Sequence, residues 1–317
     1  MEKYLVRCLK SIFNQEFSGS YEVIAVDDGS TDNSLNILQD YQMKNNNLKV
    51  VSHGINKKLS IARSSGIKVS KGDYIMHVDS DDWLLPNTLT ILFNICNKTN
   101  AEVVAYNYII KEKNSKDILP EDRINKEILS SDKMEIQKHF FGASINKIVK
   151  RQLTENMIYG TVDVNSTEDL LYNYEILLKA NTFYLLPMVL YVYARNPESL
   201  TNSVPPEVFI QDQVKIFNQV QLIAEKYEAD HQLTENLLYY HDKWLYLRIA
   251  RMHFGHQISK DKSLELISNF SKMPILSQKR FIKLKSTINN KFYSLIEVAR
   301  RLGVRTALGI IYRNLKG

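Results

Sequence analysis

The sequence predicts an α/β fold in which a mostly parallel sheet is flanked by helices and followed by a helical C-terminal region. Two observations predict it. Short runs rich in β-branched residues alternate, along the first two thirds of the chain, with amphipathic segments at helical spacing. Beyond the pair Pro205-Pro206 the spacing is helical only. We therefore expect two domains, an α/β domain over 1–204 and a helical, basic region over 205–317.

The individual elements follow from the spacing of apolar residues. The segment 2–15 is predicted as a helix because residues such as Leu5 and Leu9 recur on one face. The charged segment 111–138 is weakly patterned and is interpreted as an insertion or a linker. The other predicted helices are 35–41, 60–67, 87–97, 209–226 and 237–254, with one more beginning at 166–169, and the predicted strands are 21–26, 48–52, 74–78, 101–110 and 183–193.

The composition is that of a globular protein, with 44% hydrophobic and 24% charged residues in a chain of 317. No apolar run reaches the roughly 18 residues that a membrane-spanning helix needs. We therefore expect a cytoplasmic protein without a transmembrane helix. The two cysteines, Cys8 and Cys96, lie far apart in apolar helical contexts, and we interpret them as buried free thiols in a reducing compartment.

The formal charge of +6 is concentrated at the C-terminal end of the chain. Residues 277–317 contain ten Lys and Arg against one acid, Glu297, so the preceding part is net negative. Basic residues interspersed with apolar ones suit an anionic membrane surface, which would make the protein peripheral at the inner face of the cell membrane. The alternative is a solvated basic face on a helix packed against the first domain. The sequence contains no known nucleic-acid-binding module, so we expect no nucleic-acid partner.

Acidic residues are concentrated where two predicted strands end. The strand at 74–78 is followed at once by three acids, and the strand at 21–26 by two. Because parallel strands end at the same edge of a sheet, we expect these acids to lie close together. Crowded carboxylates repel one another, and a divalent cation shared with the phosphates of a ligand would compensate them. An acidic turn followed by a helix cap is the alternative interpretation. The acids are Asp79, Asp81 and Asp82 after the first strand and Asp27 and Asp28 after the second.

Five short blocks of residues follow one another over about residues 1–203. They are Val26-Asp27-Asp28-Gly29-Ser30-Thr31-Asp32; Asn56 with Ala62-Arg63-x-x-Gly66; Gly72-Asp73-Tyr74 leading to Asp79-Ser80-Asp81-Asp82-Trp83; Glu168-Asp169-Leu170-Leu171; and Tyr191-x-Tyr193-x-Arg195-x-x-x-Ser199-x-Thr201. In this order they resemble the family 2 inverting glycosyltransferases of the GT-A fold. The resemblance implies a GT-A-type sheet and the transfer of a sugar from a nucleotide-sugar donor. It does not specify the sugar.

The resemblance also implies roles for individual residues. The donor is most often a UDP-sugar, with Mg²⁺ or Mn²⁺ on its diphosphate. Asp28 matches a position that contacts the base, Asp79 one near the ribose, and Asp81 the metal-binding carboxylate. A divalent cation stabilises the negative charge that develops on the leaving diphosphate. Arg63 resembles a donor-site residue, with a surface or packing arginine as the alternative, and Arg195 is expected to reach the diphosphate.

Asp169 is the candidate general base. An inverting transfer needs a carboxylate opposite the leaving group, where it removes the proton of the attacking hydroxyl. A helix cap is the alternative, because Ser166-x-x-Asp169 fits a capping box and acids favour the first turn of a helix. In that pattern Glu168 could cap the helix while Asp169 faces the cleft. His77, inside a predicted strand, is interpreted as a hydrogen-bonded core residue and not as a ligand.

The sequence departs from the family pattern in two respects. Relatives begin with an apolar strand that lies between the strands carrying Asp28 and Asp79, and we expect that strand to be missing here. Its loss would leave backbone groups of both neighbouring strands without partners. In addition, Lys58 and Ser64 stand where relatives favour Gly and Asn, a change that concerns the geometry of the donor loop.

Two functions of different classes follow from these observations. The first is a metal-dependent inverting glycosyltransferase that acts on a hydroxyl of a cell-surface polysaccharide precursor, either a glycan or a lipid-linked acceptor. The second is an inactive or accessory partner subunit that lacks a complete donor site. The missing strand favours the second function, whereas the retained acids favour the first. A nucleotidyltransferase is more distant, because such enzymes normally carry a Gly-rich, basic N-terminal loop that this sequence lacks.

Overall fold

The computed structural model describes most of the chain before the basic tail. The described residues are 1–112, 117–120, 123–140, 142–196 and 204–254, with 259, 261 and 265. The basic segment 277–317, for which membrane contact is expected, lies outside the described residues. The chain divides into two compact units: the first comprises Met1–Val204 and Asp212–Ala229, and the second comprises Pro205–Gln211 and Asp230–Gly317. The first unit contains every candidate site residue named above.

Strands and helices alternate along the chain, and the predicted α/β class is confirmed. The helices are α1 Glu2–Phe13, α2 Ser34–Lys44, α3 Leu59–Val69, α4 Thr88–Thr99, α5 Lys133–Phe140, α6 Glu168–Lys179, α7 Pro206–Lys226 and α8 His231–Phe254. The strands are β1 Val23–Asp27, β2 Leu48–Ser52, β3 Tyr74–Met76, β4 Trp83–Leu84, β5 Val103–Lys111, β6 Ile128–Ser130, β7 Lys147–Lys150 and β8 Phe183–Ala194. The described part of the C-terminal region is helical, as predicted. Of the helices described, none combines the length and the apolarity needed to span a bilayer.

The strands of the described residues form two sheets. The first consists of β1 and β2, which pair in parallel with Val23 opposite Leu48. The second has the order β3-β7-β5-β8-β4, with β6 also paired to β8, and only β5 and β8 run parallel within it. The pairing is more mixed than the predicted mostly parallel sheet. One reason is that β6 and β7, both antiparallel to their partners, come from a part of the chain for which the sequence predicts no strand.

The two strands that end at the acidic clusters, β1 and β3, are not hydrogen-bonded to each other. Among the described residues, β1 pairs with β2 alone and β3 pairs with β7 alone. The carboxylate of Glu22, just before β1, accepts hydrogen bonds from the backbone N–H groups of Lys71 and Gly72, just before β3. A side chain therefore links the starts of the two strands, in place of a backbone ladder.

The main core surrounds β5. Val103 and Tyr106 of this strand are fully buried, and Leu92 of α4 packs in the same cluster as Tyr106. A nearly continuous apolar strand of this kind is typical of a strand that is covered on both faces. Cys8 and Cys96 are buried free thiols, as predicted.

Helix α3 lies close against β1, and two glycines of the sequence blocks permit the close packing around it. A Cβ at Gly66 would lie 3.3 Å from Cγ2 of Val26, which is tighter than an ordinary contact. At Gly29 the φ angle is +74°, and a Cβ there would lie 2.6 Å from the backbone of Ile55. The absence of side chains at both positions therefore lets α3 and the loops after β1 and β2 come together.

Lys58 precedes α3 in a strained conformation, with φ of 78° and ψ of 156°, a region that glycine adopts far more readily. Lys58→Gly is expected to raise the free energy of unfolding by about 1 kcal/mol, because relief of the strain outweighs the added flexibility of the unfolded chain. Lys57→Gly is the matched control: its φ is not positive, so it adds flexibility without relieving strain. Urea unfolding of both variants measures the difference. Equal destabilisation by the two substitutions would contradict the strain at Lys58.

Candidate active site

Arg63, in the middle of α3, connects two parts of the candidate site. Its guanidinium donates from Nη1 to Oδ1 of Asp169 at 2.7 Å and from Nη2 to Oδ1 of Asp79 at 2.7 Å. The Arg63 side chain is only 8% exposed, while those of Asp79 and Asp169 are 30% and 29% exposed. Arg63 is therefore not a surface arginine. One buried cation joins the loop after β3 to the first turn of α6.

The first turn of α6 brings two acids to this guanidinium. The carboxyl of Glu168 is buried and lies 3.7 Å from Nη1 of Arg63. Burial, and then the charge of Asp169, raise the pKa of Glu168 to about 7. Burial also acts on Asp169, but the charge of Arg63 and its hydrogen bond to the carboxylate outweigh it and hold the pKa of Asp169 below its usual range. Asp169 is therefore ionised at neutral pH, whereas Glu168 is partly protonated.

The capping box that the sequence allows at α6 does not form. Thr167, the residue before the helix, has a φ of 66° and makes no side-chain hydrogen bond to the helix. Oγ of Ser166 is buried and finds no partner among the described residues. The sequence pattern allows Glu168 to cap the helix, but its carboxyl lies beside Arg63 instead. The acids of this turn thus face the site.

Residues 79–83, which we call the acidic loop, are tied to β8 by Asp82. This carboxylate is buried and accepts hydrogen bonds from the hydroxyl of Tyr191 and the backbone N–H of Ala194, both at 2.7 Å. The Tyr191 hydroxyl in turn accepts a hydrogen bond from the backbone N–H of Asp79 at 3.0 Å. Burial, and then Asp79, raise the pKa of Asp82 to about 8. Asp82 therefore anchors the loop, and the two other carboxylates remain for the site.

These two carboxylates, Asp79 and Asp81, fit a divalent cation. Burial, and then repulsion by Asp79, raise the pKa of Asp81 above its usual range, and a hard cation would relieve both effects. Mg²⁺ bound to a diphosphate needs only one or two protein carboxylates, because phosphate oxygens and water complete its coordination. No group of three or more His, Cys, Asp or Glu side chains in the described part of the chain would hold a metal ion without such a ligand.

Asp28, at the end of β1, is held in place by His53. Oδ1 of Asp28 lies 2.6 Å from Nδ1 of His53 and accepts the backbone N–H of Lys57 at 2.9 Å. Nε2 of His53 lies 2.9 Å from Oγ of Ser65 on α3. A neutral imidazole that donates through Nδ1 and accepts through Nε2 satisfies both contacts. Asp28 is thus connected, through His53, to the helix that carries Arg63.

Comparison with known proteins identifies the family. A family model described as glycosyl transferase family 2 matches residues 1–177, more than half of the chain. The chain belongs to this family. The matched part includes Arg63, the acidic loop and both acids at the start of α6, and it ends before Arg195.

Several curated relatives of this family member are bacterial proteins. GlyG of Streptococcus pneumoniae is 40% identical over 106 residues, which cover 33% of this chain and 35% of that protein. EpsJ of Bacillus subtilis, an uncharacterized glycosyltransferase, is 28% identical over 63% of this chain and 60% of its own length. A poly(ribitol-phosphate) beta-glucosyltransferase of Bacillus spizizenii is 30% identical over 66% of this chain and 33% of its own length. The chain thus spans between about a third and three fifths of the length of these relatives.

Solved structures of Staphylococcus aureus TarS share the fold. The crystal structure of TarS residues 1–349 in complex with UDP-GlcNAc matches 95% of this chain and 89% of that one, with a TM-score of 0.70 and 22% identity. The complex of the same TarS fragment with UDP gives a TM-score of 0.67 at 21% identity. At such low identity these likenesses show the fold alone, and they confirm the GT-A type predicted from the sequence blocks.

The sequence-predicted site residues of this family member are only partly brought together. Arg63, Asp79 and Asp169 are in direct contact. Arg195 directly follows β8, where its side chain is 57% exposed and its guanidinium pairs with Glu112. The reach of Arg195 to a diphosphate therefore stays a prediction.

Two histidines behave differently from what the sequence indicates. The sequence assigns no role to His53, although it follows β2 directly, just as Asp28 follows the neighbouring parallel strand β1. His77 is expected to be hydrogen-bonded, but both of its ring nitrogens are buried without a partner among the described residues. Burial, and then Arg63, lower the pKa of His77 to about 3, so the ring stays neutral against Tyr172, with 4.8 Å between ring centroids. The expectation of a hydrogen bond is wrong for His77.

Proposed function

We propose that this chain is a metal-dependent inverting glycosyltransferase that moves a sugar from a nucleotide-sugar, most simply a UDP-sugar, to a hydroxyl group of a cell-surface polysaccharide precursor. The pair of contacts from Arg63 to Asp79 and Asp169 carries the proposal. These contacts bring the acidic loop, which suits a cation and a diphosphate, next to a carboxylate suited to act as a base. Membership of glycosyl transferase family 2 supports the same class of reaction.

Asp169 acts as the general base. Its carboxylate is ionised at neutral pH, and it is 29% exposed, so an acceptor hydroxyl can reach it. As the acceptor oxygen attacks the anomeric carbon from the side opposite the diphosphate, Asp169 takes the hydroxyl proton. Glu168 is less suitable, because its carboxyl is buried and partly protonated at neutral pH.

Donor binding is divided between two strand ends. His53 and Lys57 occupy Oδ1 of Asp28 and fix the orientation of its carboxylate, which leaves Oδ2 for the base of the nucleotide. Asp81 would hold Mg²⁺ or Mn²⁺, which supplies charge stabilisation to the leaving diphosphate when bound, and Asp79 would lie near the ribose. Arg63 sets the spacing between the acidic loop and the general base Asp169, because its guanidinium contacts both Asp79 and Asp169.

The acceptor class is proposed from the relatives and the charge of the chain. The names of relatives from Bacillus spizizenii and Staphylococcus aureus specify transfer to poly(ribitol phosphate). An acceptor assembled at a membrane would suit a protein whose segment 277–317 is basic and rich in apolar residues. The protein is therefore expected to cosediment with anionic liposomes at low salt and to be released by high salt. If the protein does not cosediment with such liposomes at low salt, membrane attachment is ruled out.

An inactive partner subunit is the second candidate, and one observation favours it. Among the described residues β1 and β3 belong to separate sheets, so no backbone ladder joins the strand before Asp28 to the strand before Asp79. A donor site divided in this way would bind a nucleotide weakly.

Thermal unfolding in the presence of nucleotides distinguishes the two candidates. When Mn²⁺ is present and the UDP concentration is about 100 times the dissociation constant of UDP, the free energy of unfolding of a transferase is expected to rise by about 2.7 kcal/mol. Its melting temperature should rise accordingly. UDP with EDTA is expected to give a much smaller shift. Asp81→Asn is the matched variant, which should lose most of the Mn²⁺-dependent part. A protein that shows no shift with any nucleoside diphosphate would not be a transferase of this kind.

A further inference from the structure

Helix α1 holds the acidic loop and the residues after it along one of its faces. Ser11 is four positions after Arg7 and three after Cys8, so these three side chains lie on the same side of α1, and Gln15 follows two positions after the end of the helix at Phe13. The contacts are Arg7 Nη2 to the backbone oxygen of Asp81 at 2.6 Å, Cys8 Sγ to that of Asp79 at 3.5 Å, the backbone N–H of Leu84 to Ser11 Oγ at 3.1 Å, and Gln15 Nε2 to the backbone oxygen of Leu85 at 2.9 Å.

Arg7 differs from the other three residues in what it contacts. It donates to the backbone of Asp81, the residue that carries the candidate metal-binding carboxylate. Its guanidinium also stacks on Trp83, with Cζ 4.0 Å from the ring centroid. A planar, permanently charged group can make both contacts at once, and a lysine cannot reproduce that geometry. Arg7 thus fixes the loop at two points that flank Asp82.

The other side of the loop is already fixed by Asp82, which is bonded to Tyr191 and Ala194. Asp81 therefore lies between a buried anchor on β8 and the guanidinium of Arg7 on α1. Residues that orient a metal ligand without touching the metal typically change metal affinity by about 10- to 100-fold when they are removed. The contacts of Ser11 and Gln15 would keep α1 attached to the segment in a variant without Arg7.

We propose that Arg7 is a positioning residue, which fixes the backbone at Asp81 and thereby sets the affinity of the acidic loop for a divalent cation that carries a nucleoside diphosphate. The proposal rests on the proposed function, because it takes Asp81 as the metal-binding carboxylate. Arg7 acts through the loop and not on the nucleotide itself. Its removal should therefore weaken binding only when the metal is present.

Calorimetric titration of the full-length protein with UDP tests this, once with excess Mn²⁺ and once with EDTA. Arg7→Gln is expected to raise the dissociation constant of UDP by about tenfold with Mn²⁺ and to leave it unchanged with EDTA. Arg7→Lys, which keeps the charge and loses the planar group, is expected to show most of the same loss. Lys10→Gln is the matched control, because it removes an exposed charge from the same helix and should behave like the wild type.

Any of four other outcomes would overturn the inference. If Arg7→Gln binds UDP with Mn²⁺ as tightly as Lys10→Gln does, the positioning role is overturned. The same holds if Arg7→Lys matches the wild type, since charge alone would then suffice, or if Arg7→Gln weakens UDP equally with EDTA, since Arg7 would then act on the nucleotide. If the wild-type protein binds no UDP in either condition, the proposed function fails, and this inference fails with it.

Discussion

Asp169→Asn is expected to lower the rate of sugar transfer by about 10²- to 10⁴-fold, the usual contribution of a general base. The amide has nearly the same shape as the carboxylate but cannot accept the proton of the attacking hydroxyl. Arg63 keeps its contact with Asp79, so the site should retain its geometry and its affinity for UDP with Mn²⁺. The release of UDP from UDP-glucose and UDP-GlcNAc, with and without acceptor, measures the rate.

Two further variants show whether this effect belongs to Asp169. Asp163→Asn makes the same chemical change at an exposed position six residues earlier and should leave the rate within about twofold of the wild type, as is usual for a surface substitution. Glu168→Gln tests the neighbouring acid, which is buried and is not expected to serve as the base. If Glu168→Gln abolishes the release of UDP while Asp169→Asn retains it, the assignment of the base is wrong.

Arg63→Met is expected to lower the free energy of unfolding by about 3 kcal/mol, because it leaves carboxylates of the site without their shared cation. Breaking a buried ion pair usually costs about 3–5 kcal/mol. The loss here should be near the lower value, because Asp79 and Asp169 are 30% and 29% exposed and water can partly replace the guanidinium. Sugar transfer should fall as well, because the base and the acidic loop are no longer held together. Chemical denaturation and the UDP-release assay measure the two effects.

The effect of Arg63→Met should also depend on pH. Arg63 lowers the pKa of Asp169 in the folded protein below the usual value of 3.8, so the pair stabilises the fold fully only at higher pH. The stability difference between wild type and variant is therefore expected to shrink as the pH falls below 3.8. Without Arg63 the pKa of Asp169 rises, and the acid limb of the rate profile should move to higher pH.

Matched variants separate this effect from a general loss of charge. Arg151→Met removes an exposed arginine paired with Glu155 and should change the free energy of unfolding by less than about 1 kcal/mol. In a double-mutant cycle, Arg63→Met and Asp169→Asn together should lower the free energy of unfolding by less than the sum of the two single losses, because the amide leaves one fewer unpaired charge. Strict additivity of the two substitutions would contradict the pairing.

The parts of the site that follow local patterns could be predicted from the sequence. An apolar run that ends in acids identifies a strand end, and this places Asp28 and the acidic loop correctly. The start of α6 is equally local, because Glu168 and Asp169 directly precede an amphipathic pattern. In each case a residue and its immediate neighbours in sequence contain the required information.

The contacts between distant segments could not be predicted in the same way. The double contact of Arg63 depends on how α3 packs against β1 and beside the start of α6, and single-sequence patterns do not encode such packing. The same holds for the contact of Arg7 with the acidic loop, because the spacing on α1 predicts a helix but not its partner. The pairing of β7 with β3 and β5 depends on four residues in a segment without a clear strand pattern. Local propensity is weak there, and tertiary contacts decide the conformation.

A crystal structure of this protein with UDP and Mn²⁺ would show whether the donor binds at the acidic loop, with the anomalous signal of Mn²⁺ used to locate the metal. We expect one Mn²⁺ bound by the carboxylate of Asp81 and by oxygens of the diphosphate, with Asp28 at the base of the nucleotide and Asp169 on the side of the site open to an acceptor. UDP or Mn²⁺ bound away from the acidic loop would contradict it.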